Sequence, residues 1–247
     1  NSFHQKRHTT KASHGIKFVT SITTTIALIL VCALAVSQII PTDRTDRSAK
    51  VAQGKTTRSK KPVKTTFTPA SGEFRGVWIS FQDIGEKRYT KKQFENFINK
   101  TFDNCKKNGF NAVIVHVRPF ADALYPSSYF PWSRYVSGKA GKHPGFDPLS
   151  YAVSAAHKRG LAFHAWINPY RIASNTTNVY KLPKKSIARK WAVSKKASKR
   201  RNVLKWDGKL YFNPASKDVQ NLVCNGVREI VRDYAVDGIH FDDYFYP

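Results

Sequence analysis

The sequence predicts an α/β fold: a (β/α)8 TIM-type barrel of which this 247-residue chain supplies about the first four strands, preceded by a transmembrane helix and a disordered linker. Three observations carry that expectation. From Phe74 onward, strand-like and helix-like segments alternate as β-α-β-α-β-α-β, which implies parallel strands and right-handed crossovers. The four strands collect polar and aromatic residues on one face and apolar residues on the other. Ahead of them, residues 18–40 form an uncharged apolar run.

The N-terminal third divides into three. Residues 1–17 read as a basic cytoplasmic tail, with Lys6, Arg7, Lys11 and Lys17 ahead of the apolar run. Residues 18–40 are long enough to span hydrocarbon as a helix. We read them as an uncleaved signal anchor, with a cleaved signal peptide ending near Ala33-Leu34-Ala35 and secretion as the alternative. Residues 41–70, rich in Lys, Thr, Ser and Pro, read as a disordered basic linker. Arg44, Arg47, Lys50 and Lys55 make the far flank basic too, so charge alone does not orient the span. The expected arrangement is single-pass, with the domain of residues 71–247 outside the cell and incomplete at its C-terminus. The chain holds no Met, from which we expect residue 1 not to be the natural start.

The formal net charge is +26 and unevenly spread. Residues 1–73 hold 12 basic and 3 acidic residues, and residues 174–210 hold 12 basic and 1 acidic. Such stretches are either solvated surface or contacts for polyanions, which makes anionic wall polymers candidate partners. Cys32, Cys105 and Cys224 have no CxxC spacing, which argues against a disulfide framework or a zinc–cysteine site. The sequence calls for no cofactor.

Within residues 71–247, Phe74–Ser80 reads as a strand. Lys91–Asn108 reads as a helix, with a Thr90/Gln93 capping box and a stop at Gly109. Asn111–Arg118 is the second strand. Asp147-Pro148 opens a helix that Gly160 closes, and Leu161–Asn168 is the third strand. Lys184–Arg201 reads as a basic helix. Ser216 caps another helix, with Val219, Leu222, Val223, Ile230 and Val231 on one face, and Asp237–Asp243 is the fourth strand.

Alternation within the strands is the strongest signal. Val77, Ile79, Val113, Val115, Val117, Phe163, Ala165, Ile167, Ile239 and Phe241 share one parity and suit packing against helices. Trp78, Ser80, His116, Arg118, His164, Trp166, Asn168, His240 and Asp242 share the other. A doubly wound sheet would read apolar on both faces. A barrel lets its inner face turn polar towards the C-terminal mouth, where active sites sit.

Four stretches carry a resemblance: GEFRGVWIS (72–80), VHVRPFADALYPSSYFPWS (115–133), GFDPLSYAVSAAHKRGLAFHAWINPYR (145–171) and DGIHFDDYFYP (237–247). From about Gly72 to Pro247 the chain resembles the bacterial glycosyl-hydrolase-family-10-like family. That resemblance implies a (β/α)8 barrel, often secreted or anchored, and cleavage of glycosidic bonds, in part of the family those of peptidoglycan glycan. The chain departs from the family by ending after the fourth strand.

Glycoside hydrolysis generally needs two carboxyl groups flanking the bond. Asp242, inward at the end of the fourth strand, is the first candidate and Asp243 its rival. DGIHFD also resembles the fourth-strand motif of alpha-amylase-type barrels, whose final Asp is the nucleophile. Asp83 and Asp122 are weaker candidates. We expect the second carboxyl to come from a later strand and this chain alone to be nearly inactive.

The substrate-binding set is Trp78, His116, Arg118, Tyr125, His164, Trp166, Asn168, Arg171, His240 and Tyr244, with Trp132 and Tyr170 as further stacking rings. His240 would hold Asp242, and the arginines would meet hydroxyls or a carboxylate. The expected partner is a cell-wall polysaccharide. Two rivals stand beside this reading. A metal-dependent hydrolase would gather His116, His164 and His240 with Asp242, although Arg118 would repel the cation. A non-catalytic basic module would bind wall polymer through Lys184–Arg201. Nucleic acid fits less well, because no nucleic-acid-binding signature accompanies the charge.

Overall fold

The computed structural model describes residues 72–242. The tail, anchor and linker expected in residues 1–70 lie outside the described residues, as do Asp243 and Tyr244. Among the described residues no helix is long and apolar enough to cross a membrane.

The elements in chain order are β1 (Gly76–Ile79), α1 (Phe81–Ile84), α2 (Lys91–Lys107), β2 (Ala112–Arg118), α3 (Arg134–Ser137), α4 (Pro148–His157), β3 (Ala162–Ile167) and β4 (Arg171–Ala173). A 3-10 turn at Val179–Lys181 follows. Then come α5 (Ile187–Ala192), α6 (Ala197–Arg200), β5 (Val203–Trp206), β6 (Lys209–Phe212), α7 (Lys217–Asp233) and β7 (Gly238–Phe241). Strands β1, β2, β3 and β7 form one parallel sheet in that order, each joined to the next through a helix.

Local chemistry sets the helix starts. The Thr90 hydroxyl accepts the Gln93 N–H while the Gln93 side chain accepts the Thr90 N–H, closing the capping box at α2. Asp147 Oδ1 accepts the Ser150 N–H at α4, and Pro148 fills the first turn, where no donor is needed. Asp147 Oδ2 accepts the Tyr234 hydroxyl at 2.8 Å, which ties the end of α7 to the start of α4. Asp237 Oδ2 accepts the Phe163 N–H and meets His157 Nε2, both at 2.7 Å, fixing the entry to β7.

The core lies between the sheet and its helices. Phe94, Ile98 and Phe102 of α2, Leu149 and Val153 of α4, and Val219, Leu222 and Ile230 of α7 pack in one buried cluster with Val113, Val115, Phe163, Ala165 and Ile167. Val231, expected on the buried face of α7, is instead exposed, because the apolar stripe is narrower than the sequence suggested.

The lysine-rich stretch after β3 is not one helix. It folds into the short α5 and α6 and a three-stranded antiparallel sheet ordered β4-β6-β5. The break has a local cause: Ser194 Oγ accepts the Lys196 N–H, and Arg200 Nη1 donates to the carbonyls of Ser194 and Lys195. These bonds hold 194–196 in a turn. Asp207 and Gly208, both at positive φ, close the β5–β6 hairpin in a two-residue turn of the kind whose twist suits paired strands.

Candidate functional site

Side chains on the sheet face turned away from the helices form an aromatic and imidazole layer. His116 lies flat on Trp166, with ring centroids 3.3 Å apart and an 11° interplanar angle. Trp78 meets Trp166 edge-on at 5.2 Å and His240 at 4.7 Å. The register explains the grouping: His116 is paired with Trp166 across β2–β3, and Trp166 with His240 across β3–β7. His164 sits one layer back, against Phe74 at 5.2 Å. A Cβ on Gly238 would come within 2.8 Å of the His164 ring, so the strand start must be glycine for the ring to lie there.

The three imidazoles are held towards the neutral form. Burial lowers the His116 pKa to about 3. Burial also lowers those of His164 and His240, opposed at His164 by the charge of Asp237 and at His240 by that of Asp242. His116 Nδ1 faces the Phe81 N–H at 3.4 Å. On this face Trp166 Nε1 and His240 Nε2 are buried and have no hydrogen-bonding partner among the described residues, while the Asn168 side chain lies beside His116 and opposes the effect of burial on it. Trp78 is half exposed. Asp242 follows β7 two residues after His240 and acts electrostatically on its ring. The layer therefore offers stacking surface, neutral donors and acceptors, and a carboxylate at its C-terminal edge.

Arg118 departs from the alternation. The register slips between His116 and Arg118, so Arg118 is opposite Ile167, which faces the helices. This bulge turns its side chain to the helix side of the sheet. Arg118 is 1% exposed, stacks on Phe130 at 4.3 Å, and presses against α7 at Gly226, where a Cβ would meet its Nη1 at 2.6 Å. Both Nη atoms lack a hydrogen-bonding partner among the described residues. Tyr125 is buried in the same region, its ring 5.9 Å from Tyr234 and its hydroxyl pKa raised by burial. Arg118 and Tyr125, both in the expected substrate-binding set, are thus buried beside α7 and its C-terminal Tyr234.

Asn168 is buried at the C-terminal end of β3, its Nδ2 donating to the Pro119 carbonyl. Arg171 is half-buried in β4, with its charge felt at His116. Trp132 packs edge-on against His143, and Tyr170 is buried. Asp83 is engaged in capping: its Oδ2 accepts the Ser80 N–H and hydroxyl at 2.7 and 2.9 Å. Among the described residues, no three histidine, cysteine or carboxylate side chains are grouped so as to hold a metal ion.

Asp122 stands apart. It lines a cavity of about 220 Å3 between the loop after β2 and the segment after β3, with Phe120, Arg134, Ile172, Asn175 and Leu182 among its walls. Burial pushes its pKa up to about 6, against a hydrogen bond from Ser133 that lowers it. Nothing local in the sequence joins these walls. Further along the loop after β2, Glu229 of α7 accepts the Ser127 hydroxyl and the Ser128 N–H, both at 2.6 Å, from about a hundred positions away.

Comparison with known proteins agrees with the motifs. Over 183 residues the chain is 42% identical to glycosyl hydrolase YngK of Bacillus subtilis, covering 71% of this chain and 34% of that protein. Over 197 residues it is 32% identical to glycosyl hydrolase DigH of Escherichia coli, covering 75% of this chain and 45% of that protein. The chain thus spans between a third and a half of the length of these curated relatives. A solved structure of a hypothetical protein from Ruminiclostridium thermocellum superposes with a TM-score of 0.45 at 14% identity, over 69% of this chain and 77% of that one. Residues 73–247 match the family model described as glycosyl hydrolase-like 10, and the chain belongs to that family.

Proposed function

We propose that the chain contributes to a glycoside hydrolase whose substrate is a cell-wall-type polysaccharide, peptidoglycan glycan in particular. In this reading β1, β2, β3 and β7 are the first four strands of a (β/α)8 barrel, and their polar face lines its interior. The observation that carries the reading is the layer of Trp78, Trp166, His116 and His240, with unpartnered buried polar atoms, leading to Asp242. Exposed indole suits the apolar face of a pyranose. Neutral imidazoles suit hydroxyls better than ions, which also disfavours the polyanion-only module as the role of this face.

Asp242 is assigned as one of the two carboxyl groups, with Asp243 as the alternative and His240 orienting Asp242. Asp83 is occupied as a cap and Asp122 faces its own cavity, so the second carboxyl is assigned to a strand end beyond β7. The other sequence-derived assignments remain part of this proposal. Residues 18–40 anchor the protein in the cell membrane with the domain outside, and the basic stretches contact anionic wall polymer.

The test is cleavage of isolated peptidoglycan glycan strands by the full-length protein. Asp242→Asn is expected to reduce turnover by about a thousandfold or more, in line with loss of a catalytic carboxyl. Turnover by Asp242→Asn within a few-fold of the parent would sink the assignment.

A further inference from the structure

We propose that His116 is a positioning residue: its Nε2–H donates to Asn168 Oδ1 and so holds the Asn168 amide in one orientation beside Asp242, and His116 itself does not touch the sugar. This inference rests on the reading of Asp242 above and adds the group that orders the rim on which Asp242 stands.

Register places Asn168 there. Trp166 is opposite His240 and Ile167 opposite Phe241, so the next residues along, Asn168 and Asp242, are neighbours where β3 and β7 end. Asn168 is 2% exposed, and its backbone N–H donates to the Arg118 carbonyl at 2.9 Å. It is a fixed part of the C-terminal rim. The way its amide is turned decides whether that rim gains a donor or an acceptor.

Hydrogen-bond accounting settles the orientation. Asn168 Nδ2 donates to the Pro119 carbonyl at 3.0 Å, which leaves Oδ1 as an acceptor. His116 Nδ1 lies 3.4 Å from the Phe81 N–H and can only accept there. Burial holds the ring neutral, so its one proton is on Nε2, which becomes a donor. His116 Nε2 and Asn168 Oδ1 are both buried, and neither reaches any other polar group among the described residues. The two side chains lie beside each other, with Asn168 opposing the effect of burial on the imidazole. One donor and one acceptor are thus left over, and they complete each other. Left single, each would carry the full cost of desolvation. Stacking on Trp166, 3.3 Å between centroids, keeps the imidazole from turning away.

The chain of bonds runs from the Phe81 N–H at the start of α1, through His116 of β2 and Asn168, to the Pro119 carbonyl. Both ring nitrogens of His116 are used within it, so neither is left for a hydroxyl. Asn168 keeps a second Nδ2–H. A carboxylate accepts an N–H and repels a carbonyl oxygen, so this orientation suits an ionised Asp242. The turned-over amide would set Oδ1 against the Pro119 carbonyl and break both bonds.

The first measurement is NMR of protein isotope-labelled at its histidine nitrogens, with the His116 signals identified by their loss in His116→Phe. The expected result is a neutral ring protonated at Nε2, whose Nε2–H exchanges slowly with water. Asn168→Leu removes the acceptor at nearly the same size and is expected to speed that exchange. A proton on Nδ1, an imidazolium at neutral pH, or unchanged exchange in a folded Asn168→Leu would overturn the proposal. Should circular dichroism show Asn168→Leu unfolded, the tautomer in the parent decides alone. The second measurement is cleavage of isolated glycan strands by the full-length protein. His116→Phe keeps the stack and loses the donor, so kcat is expected to fall about tenfold with KM changed by less than about twofold. His116→Gln carries an amide N–H at nearly the place of Nε2 and is expected to recover most of that loss. A packing role alone would give the opposite order, with Phe tolerated and Gln harmful, and that order would overturn the proposal. Full turnover by Asp242→Asn would sink the catalytic reading and leave the His116 tautomer unchanged, so the two failures are distinguishable.

Discussion

The imidazole of His116 and the indole of Trp166 are stacked face to face, 3.3 Å between centroids, and burial at this contact holds the histidine towards its neutral form. A ring enclosed by Trp166 and Phe81 loses the water that an imidazolium needs.

That relation sets a pH dependence. The folded-state pKa of His116 is about 3, against 6.5 for an ordinary histidine. The unfolded chain therefore binds one more proton between those values, and stability falls as pH drops through that window. The full effect is on the order of 5 kcal/mol. His116→Phe keeps a flat ring on Trp166 and removes the titration. Urea unfolding at pH 4 and pH 7 should show a smaller loss on acidification in the variant than in the parent, by about 3 kcal/mol. Equal losses would mean that His116 is solvated in the folded state.

Asp122 works in the opposite direction. Its folded pKa is raised to about 6 from 3.8, so the folded state holds the extra proton between these values and stability falls as pH rises through them. In the parent this slope offsets much of the His116 slope between about pH 4 and pH 6. Asp122→Asn removes it. Relative to the parent, the variant should gain up to about 3 kcal/mol on going from pH 3.5 to pH 7, and its acid sensitivity should steepen as the His116 effect is exposed. A pH-independent difference between the two proteins would contradict the burial of the charge.

Gly226 tests the placement of Arg118. At an ordinary helix position, glycine to alanine stabilises by about 0.5 to 1 kcal/mol. Here the added Cβ would fall 2.6 Å from Arg118 Nη1 and 2.9 Å from Phe130 Cε2. Gly226→Ala should therefore destabilise, by about 1 to 3 kcal/mol. Combined with Arg118→Met, the cost should shrink, giving a clear coupling in a double-variant cycle read by melting temperature. A stabilised single variant would place Arg118 elsewhere, on the polar face that alternation alone implied.

These positions also show what a sequence makes readable. Parity placed Trp78, His116, Trp166 and His240 on one face because a regular strand admits only two sides. It failed at Arg118 because a bulge adds one residue to one strand, and a single strand read alone cannot reveal its partner's register. Capping residues Thr90 and Asp147 were readable because their bonds span three residues. The Asp122 cavity was not, because its walls come from residues 120–140 and 172–188, which no local pattern joins. The lysine run looked helical by propensity, and the turn at Ser194 with its Arg200 clasp divided it.

The basic segment 174–210 carries the remaining prediction. It holds 12 basic residues and one acidic residue, Asp207, which is already paired with Lys209 at 2.7 Å. Arg189 and Arg200 are turned to backbone carbonyls, whereas Lys184, Lys185, Lys190, Lys195, Lys196 and Lys205 are exposed with no ion pair among the described residues. Trp206, 61% exposed at the β5–β6 hairpin, stands beside Lys205. Like charges packed this closely repel, and a flexible polyanion relieves the repulsion while releasing its counterions. Lysine ammonium groups act as point charges and select for charge density more than for shape. Polyglycerol phosphate should therefore bind the chain, with affinity falling at least about tenfold between about 50 and 200 mM salt. Replacing Lys195, Lys196 and Lys205 by glutamate should flatten that dependence and leave folding intact, since all three are solvent-facing. Salt-independent binding would mean that contact is made by Trp206 and its apolar neighbours. Binding that survives the triple replacement would mean that the charge of the segment is only solvated surface.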